Sequence, residues 1–182
     1  MNKILVLYKS KYGATKKYAQ LLKDALPCDV FPIDGYDFRD LGQYDFLILA
    51  GGIYASGISC MKYVRKNVQA LRHKPGAIFA VGASPFEPEA FEAVKNRNLR
   101  DLPLKFPLFY GRGMYDESQM SLKDRTLCKL LRKSLSKKDP SSFEPWMKAF
   151  FEAEGKSCDW VDRTYLEPLI AYLKTCYGPY SS

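Results

Sequence analysis

Five short stretches of the chain are apolar almost without interruption: Ile4 to Tyr8, Val30 to Ile33, Phe46 to Ala50, Ala77 to Val81 and Phe106 to Tyr110. Continuous rather than alternating runs are the habit of strands buried on both faces, as in a parallel sheet. Between them apolar residues recur at helical spacing: Ala14, Tyr18, Leu21, Leu22 and Ala25 after the first run, then Met61, Val64, Val68 and Leu71 after the third. A last amphipathic run, Trp160, Val161, Leu166, Leu169, Ile170 and Leu173, closes the pattern. Strands alternating with helices predict a parallel α/β sheet, because a parallel pair needs a crossover that covers its face. The crossover from Asp34 to Asp45 is too short for much helix.

Proline cannot donate to a central ladder, so Pro32 and Pro107 put the second and fifth strands at edges, strand starts or bulges. In the doubly wound order 2-1-3-4-5 these are the two edges. Other doubly wound orders accommodate an edge proline as well, so the strand pattern predicts a three-layer, doubly wound, five-stranded parallel sheet in a single domain spanning 1–182, with 2-1-3-4-5 as an order that fits. Residues 112–157 do not belong to this minimal plan and read as a basic helical insertion before the last helix. Between Arg112 and Lys138, eight Lys and Arg residues stand against Asp116, Glu117 and Asp124, which gives +5 of the chain's total of +8.

With 182 residues, 47% of them hydrophobic, one domain can bury a real core. No apolar run approaches the ~20 residues needed to cross a bilayer. The opening Met1-Asn2-Lys3 leads into only a short apolar stretch before Lys9 and Lys11, which predicts a cytoplasmic protein. The 5 cysteines are scattered without a C-x-x-C pair and the one histidine, His73, sits at a helix end, so reduced thiols and no metal site are expected. That single histidine also leaves a Ser-His-Asp hydrolase without support.

The first strand runs straight into Lys9-Ser10-Lys11-Tyr12-Gly13-Ala14-Thr15 and the first helix. A loop entering a helix at the carboxyl end of a central strand offers unpaired N–H groups and the positive end of the helix dipole to an anion. Gly13 lets the backbone come close, and the hydroxyls of Ser10 and Thr15 can add hydrogen bonds to phosphate oxygens. Neither a Walker loop nor G-x-G-x-x-G fits this spacing. A helix cap formed by Ser10 or Thr15 is the plain alternative.

Ser10-Lys11-Tyr12-Gly13-Ala14-Thr15 resembles the phosphate loop of flavodoxins, in the expected place, with Lys11 and Tyr12 where hydroxyl residues are common. The resemblance covers nearly the whole chain and is closest to the menaquinone-dependent protoporphyrinogen oxidase type of flavodoxin-like protein. It is carried further by Tyr44-Asp45, Gly51-Gly52-Ile53-Tyr54-Ala55-Ser56-Gly57, Gly111 and Asp159-Trp160, and by the basic segment. It implies an FMN cofactor held by Ser10, Lys11, Tyr12, Gly13, Ala14 and Thr15 at its phosphate. Around its ring stand Gly52, Ile53, Tyr54, Ala55 and Gly57 from one loop and Ala83, Ser84 and Phe86 from another. Small residues there permit close backbone approach, and Tyr54 and Phe86 supply apolar faces. Tyr54 as an exposed loop aromatic and Phe86 as a plug over the sheet are the plain alternatives.

The implied activity is that of an FMN-dependent oxidoreductase or electron-transfer flavoprotein, in the narrower form a protoporphyrinogen-oxidase-like enzyme with a quinone acceptor. The alternative is a non-enzymatic carrier or interaction domain of the same fold, docking an acidic partner. Flavodoxins that shuttle electrons are acidic, so +8 argues against a plain shuttle. In the insertion, Leu127, Leu130, Leu131 and Leu135 share a helical face with Lys129, Arg132, Lys133 and Lys137 around it. That face either packs on the domain with its cations solvated, or meets an anionic membrane surface, an acidic redox partner or a porphyrin bearing propionates. Downstream, Phe143, Trp146, Met147, Phe150 and Phe151 form a second, aromatic face. Nucleic acid is not expected, because no reading motif accompanies the charge.

Overall fold

The computed structural model describes residues 3–177, so Met1 and Asn2 of the opening segment lie outside it. The main sheet holds β1 (Ile4–Lys9), β2 (Cys28–Pro32), β3 (Phe46–Tyr54), β5 (Gly76–Gly82) and β6 (Leu108–Arg112). They are parallel and lie in the order β2-β1-β3-β5-β6, with the short β4 (Gly57–Ile58) turned back antiparallel on β3. This is the doubly wound order expected from the sequence. The proline-bearing strand β2 is one edge, and Pro107 immediately precedes the other, β6, where its carbonyl still accepts from Ile78 N–H.

Successive residues of the central strands face opposite layers, which divides the core in two. Leu5, Leu7, Leu47, Leu49 and Ile78 pack with α2 (Met61–Lys66), α3 (Val68–Leu71) and the 3-10 turn Phe38–Gln43. Ile4, Val6, Phe46, Ile48 and Phe79 pack with α1 (Ala14–Ala25) and α7 (Glu167–Tyr177). The second crossover is that 3-10 turn, as its length requires, and the helix after β3 is split at Asn67. Between β5 and β6 stands α4 (Pro88–Leu99), which the apolar pattern does not announce. It is set instead by Glu87, whose carboxylate accepts from Glu89 and Ala90 N–H, and by Pro88 in its first turn.

The insertion leaves and returns through a two-stranded antiparallel ribbon, β7 (Met114–Asp116) with β8 (Ser157–Asp159), and carries α5 (Leu122–Leu135) and α6 (Pro145–Glu152) between them. α5 does not turn its leucine face onto the domain, the first of the two readings of the sequence. Asp124, Arg125, Cys128, Arg132 and Leu135 turn inward, whereas Leu127, Leu130 and Leu131 are exposed. Of the leucine face, only Leu135 is buried.

Arg132 explains the reversal. It is 9% exposed, its guanidinium contacts Glu117 and Glu154, and it lies 4.7 Å from the ring centre of Phe150. Burial alone would raise the Glu117 carboxyl, but hydrogen bonds from Arg132 and Tyr115 outweigh it and hold the group low. The sequence reading that counted Arg132 among the cations of a membrane-facing surface is corrected here, because a guanidinium placed among carboxylates inside the insertion is unavailable outside it. Arg132→Met should cost about 3 kcal/mol, the low end for breaking a buried pair because Glu154 is half exposed. Urea unfolding of the two proteins measures it, and a loss under about 1 kcal/mol would mean that α5 is held by other contacts.

Candidate functional site

Above the carboxyl ends of β1, β3 and β5 lies a cleft of about 380 Å³. Its floor is made by three loops, and each is fixed in a different way.

After β1, Ser10 Oγ accepts from Gly13 N–H at 3.1 Å, closing a tight turn. Gly13 then adopts φ +97°, a left-handed conformation that favours glycine, and starts α1. The amino end of α1 has no side-chain cap and no acidic residue in its first turn. Thr15, 2% exposed, lines the cleft with Ser10, Tyr12 and Ala14. Lys11 is not among the lining residues; its Nζ lies 5.2 Å from the ring centre of Tyr12 and 5.8 Å from that of Tyr54, and Gly13 forms the turn of the loop.

After β3, Tyr54 pairs with Gly57 across a two-residue turn in which Ala55 and Ser56 have φ +47° and +63°. Non-glycine residues pay roughly 1–2 kcal/mol each for that region, so the turn needs external support. Asn98 of α4 supplies it from a buried position: its Oδ1 accepts from Ile58 N–H at 2.9 Å and its Nδ2 donates to Ser56 O at 2.8 Å. The Tyr54 ring lies back over Gly52, where a Cβ would come within 2.9 Å of it. Burial raises the pKa of the Tyr54 phenol, which stays neutral.

After β5, three successive carbonyls are engaged by the strand next door and its extension. Gly82 O accepts from Gly113 N–H at 2.7 Å, Ala83 O from Arg112 Nε at 3.1 Å, and Ser84 O from the Tyr110 hydroxyl. Arg112 is itself seated 3.9 Å over the Trp160 ring. Gly113 allows the close approach, since a Cβ there would fall 2.7 Å from Val81 and 3.0 Å from Ala14.

The far wall comes from the insertion: Met114, Tyr115, Met120, Asp124, Leu127, Cys128 and Leu131. Asp124 joins wall to floor by accepting from Lys11 Nζ and the Tyr12 hydroxyl, and Ser121 N–H donates to that same hydroxyl. The hydrogen bonds from Lys11 and Tyr12 hold the Asp124 carboxyl below its ordinary range.

Of the residues expected at the site, the structure therefore brings together Ser10, Tyr12, Ala14, Thr15, Gly52, Ile53, Tyr54, Ala55 and Ala83. Gly57 closes the turn behind Tyr54, and Ser84 lines a smaller hollow beside Trp160 and Phe150. Phe86 stands outside the cleft wall, 5.4 Å from Phe91 and 5.8 Å from Tyr110 between ring centres. Asn98, Arg112, Tyr110 and the insertion wall were not read from the sequence. The two adjacent left-handed residues carry no glycine or asparagine to signal the turn, and the other contacts join residues far apart in the chain.

The model of the flavodoxin domain family matches residues 5–142. No curated protein matches the chain. Among solved structures, a flavodoxin from the domain Archaea is 17% identical, with 71% of this chain and 92% of that one covered and a TM-score of 0.45. Oxidised flavodoxin 1 from Bacillus cereus is 16% identical over 75% and 98% of the two chains, TM-score 0.43. A flavoprotein in complex with FMN from Lactobacillus acidophilus is 14% identical over 62% and 93%, TM-score 0.43.

Two outcomes follow from this geometry. Asn98→Ala should destabilise the fold by about 1–3 kcal/mol by stranding Ile58 N–H, whereas Ala55→Gly should be neutral or stabilising by up to about 1 kcal/mol. Urea midpoints test the pair, and equal losses in both would contradict a strained turn held by Asn98. The tie of Asp124 to the phosphate-side loop should depend on acid. A depressed carboxylate contributes fully above its unfolded value near 3.9 and loses that contribution as pH falls through its folded value. Hydrogen exchange in α5 should thus be slow and constant down to about pH 4, after correction for intrinsic rates, and rise only below it. In Asp124→Asn the acid-dependent rise should be absent.

Proposed function

The chain belongs to the flavodoxin domain family, and from that premise we propose that it binds FMN in this cleft and uses it as an oxidoreductase on a flat, apolar reactant. The residues present fit the cofactor. An uncapped helix terminus without first-turn acids, with Ser10 and Thr15 beside it, suits a phosphate dianion. Tyr54, Ala55, Val81, Gly82 and Ala83 offer an apolar slot with backbone polar groups for the ring. Bound there, FMN supplies one- and two-electron chemistry. The chain's own part is to hold the loops fixed: Arg112, Tyr110 and Gly113 engage the carbonyls after β5, and Asn98 holds the turn after β3.

The observation that favours an enzyme over a carrier is the apolar wall of Met114, Met120, Leu127 and Leu131 facing that slot. A carrier needs only an accessible flavin edge, whereas a thioether and leucine wall left wet is unfavourable until a reactant covers it. A quinone belongs to this class of reactant, whereas a porphyrinogen, puckered at its sp3 meso carbons and carrying propionates, shares only the apolar faces of its pyrroles; both are partners that the resemblance to protoporphyrinogen oxidases implies, and the narrower reading rests on that resemblance.

Reconstitution followed by mass analysis should recover FMN and not FAD. Thr15→Val should weaken FMN binding by about 1.5–3 kcal/mol, the worth of a hydrogen bond to a charged group. An unchanged dissociation constant in a flavin-fluorescence titration would remove Thr15 from the site. Turnover with quinone acceptors and porphyrinogen donors should exceed that of free FMN, and parity with free FMN would leave the protein a carrier.

A further inference from the structure

We propose that the outward face of α5 is a docking surface for anionic phospholipid bilayers. Leu122, Leu127, Leu130 and Leu131 are 80%, 54%, 59% and 42% exposed. They make up most of the exposed large hydrophobic residues among the described residues, which is unusual crowding for one helix of a soluble surface. At 100° per residue Leu122, Leu130 and Leu127 span the outward arc, with Leu131 at its edge beside the cleft. Lys123, Lys129 and Lys133 are interleaved on the same exposed arc, and Lys137 and Lys138 follow just past the helix end.

The leucines cannot be satisfied by rolling the helix over. Its inner face is held by Asp124 to Lys11 and Tyr12, by Arg125 to the carbonyls of Glu117 and Ser118, and by Arg132 to Glu117. Turning the leucines inward would bring Arg132 out of its carboxylates and abandon all three ties. The only acid of α5, Asp124, is already committed to the inner face, so the outer face presents cations, leucines and the small hydroxyls of Thr126 and Ser134, with no acid among them.

That combination selects the occupant. An acidic protein would answer the lysines and leave the leucines without a match, and a second copy of the same face would bring like charges together. A bilayer with anionic headgroups answers both, because leucines enter the acyl boundary while lysine stems extend to the phosphates. No helix among the described residues is long and apolar enough to cross a membrane, so the contact is peripheral. Leu127 and Leu131 also line the cleft, so docking carries its mouth to the lipid surface. The docking does not depend on whether the cleft holds a flavin.

Co-sedimentation of the full-length protein with phosphatidylcholine vesicles, with and without about one-third phosphatidylglycerol, tests the proposal. Binding is expected to the anionic vesicles and to fall by roughly tenfold or more in Leu122→Ser/Leu130→Ser, whose exposed positions should leave the thermal midpoint and flavin content unchanged. Lys129→Glu/Lys133→Glu should lose a similar factor or more. Absence of binding to anionic vesicles would overturn the proposal. So would binding that the charge reversal abolishes but the serine pair leaves intact, which is adsorption without insertion. Self-association abolished by the serine pair, in protein that ignores vesicles, would assign the face to a second copy instead.

Discussion

Parallel strands all end on one side of a sheet, and the backbone polar groups of the loops that follow must be satisfied there without closing the space between them. This requirement shapes the cleft. The carbonyls after β5 are taken up by Gly113, Arg112 and Tyr110, and Ser56 O after β3 by Asn98. Ser10 closes the turn after β1 on its own backbone. With these groups paired from behind, the loops hold their shape around an open space that they line with small residues, Ile53, Val81 and the rings of Tyr12 and Tyr54.

A second requirement governs the wall. Glu117 and Glu154 draw Arg132 inside the insertion, and a helix that buries an arginine through one face must present the opposite face to solvent. The apolar positions of α5 are therefore where the polar ones ordinarily stand. A buried ion pair adds little net stability compared with an apolar packing of the same volume, but it does choose one orientation. Here the choice leaves Leu127 and Leu131 beside the cleft and Leu122 and Leu130 facing outward.

The sheet was legible because burial on both faces writes itself as continuous apolar runs, and because Pro32 and Pro107 tolerate only edge-like positions. The loop after β1 was legible from its serine, glycine and threonine at the start of a helical pattern. The fourth helix was not, since most of α4 is exposed and only Phe91, Val94 and Leu99 reach the core, which weakens any apolar period. Reading the α5 leucines as one face was sound, but amphipathicity alone cannot say which way a face points when the other carries an arginine with two carboxylate partners far along the chain. Asn98 is likewise one polar residue in a polar helix until its contacts with Ser56 and Ile58 are seen.

The positions where the phosphate-side loop departs from the flavodoxin pattern are the ones that join floor to wall. Lys11 and Tyr12 stand where hydroxyl residues are common, and both are spent on Asp124 at the start of α5. Lys11 is 46% exposed at its side chain, so the pair contributes little to stability through charge alone. Its consequence is geometric: it fixes the amino end of α5 beside the uncapped end of α1, while Arg132 fixes the other end. An insertion tied at both ends becomes a rigid side of the cleft rather than a mobile arm. The loop substitutions and the insertion are in that sense one structural change, and neither would serve the cleft without the other.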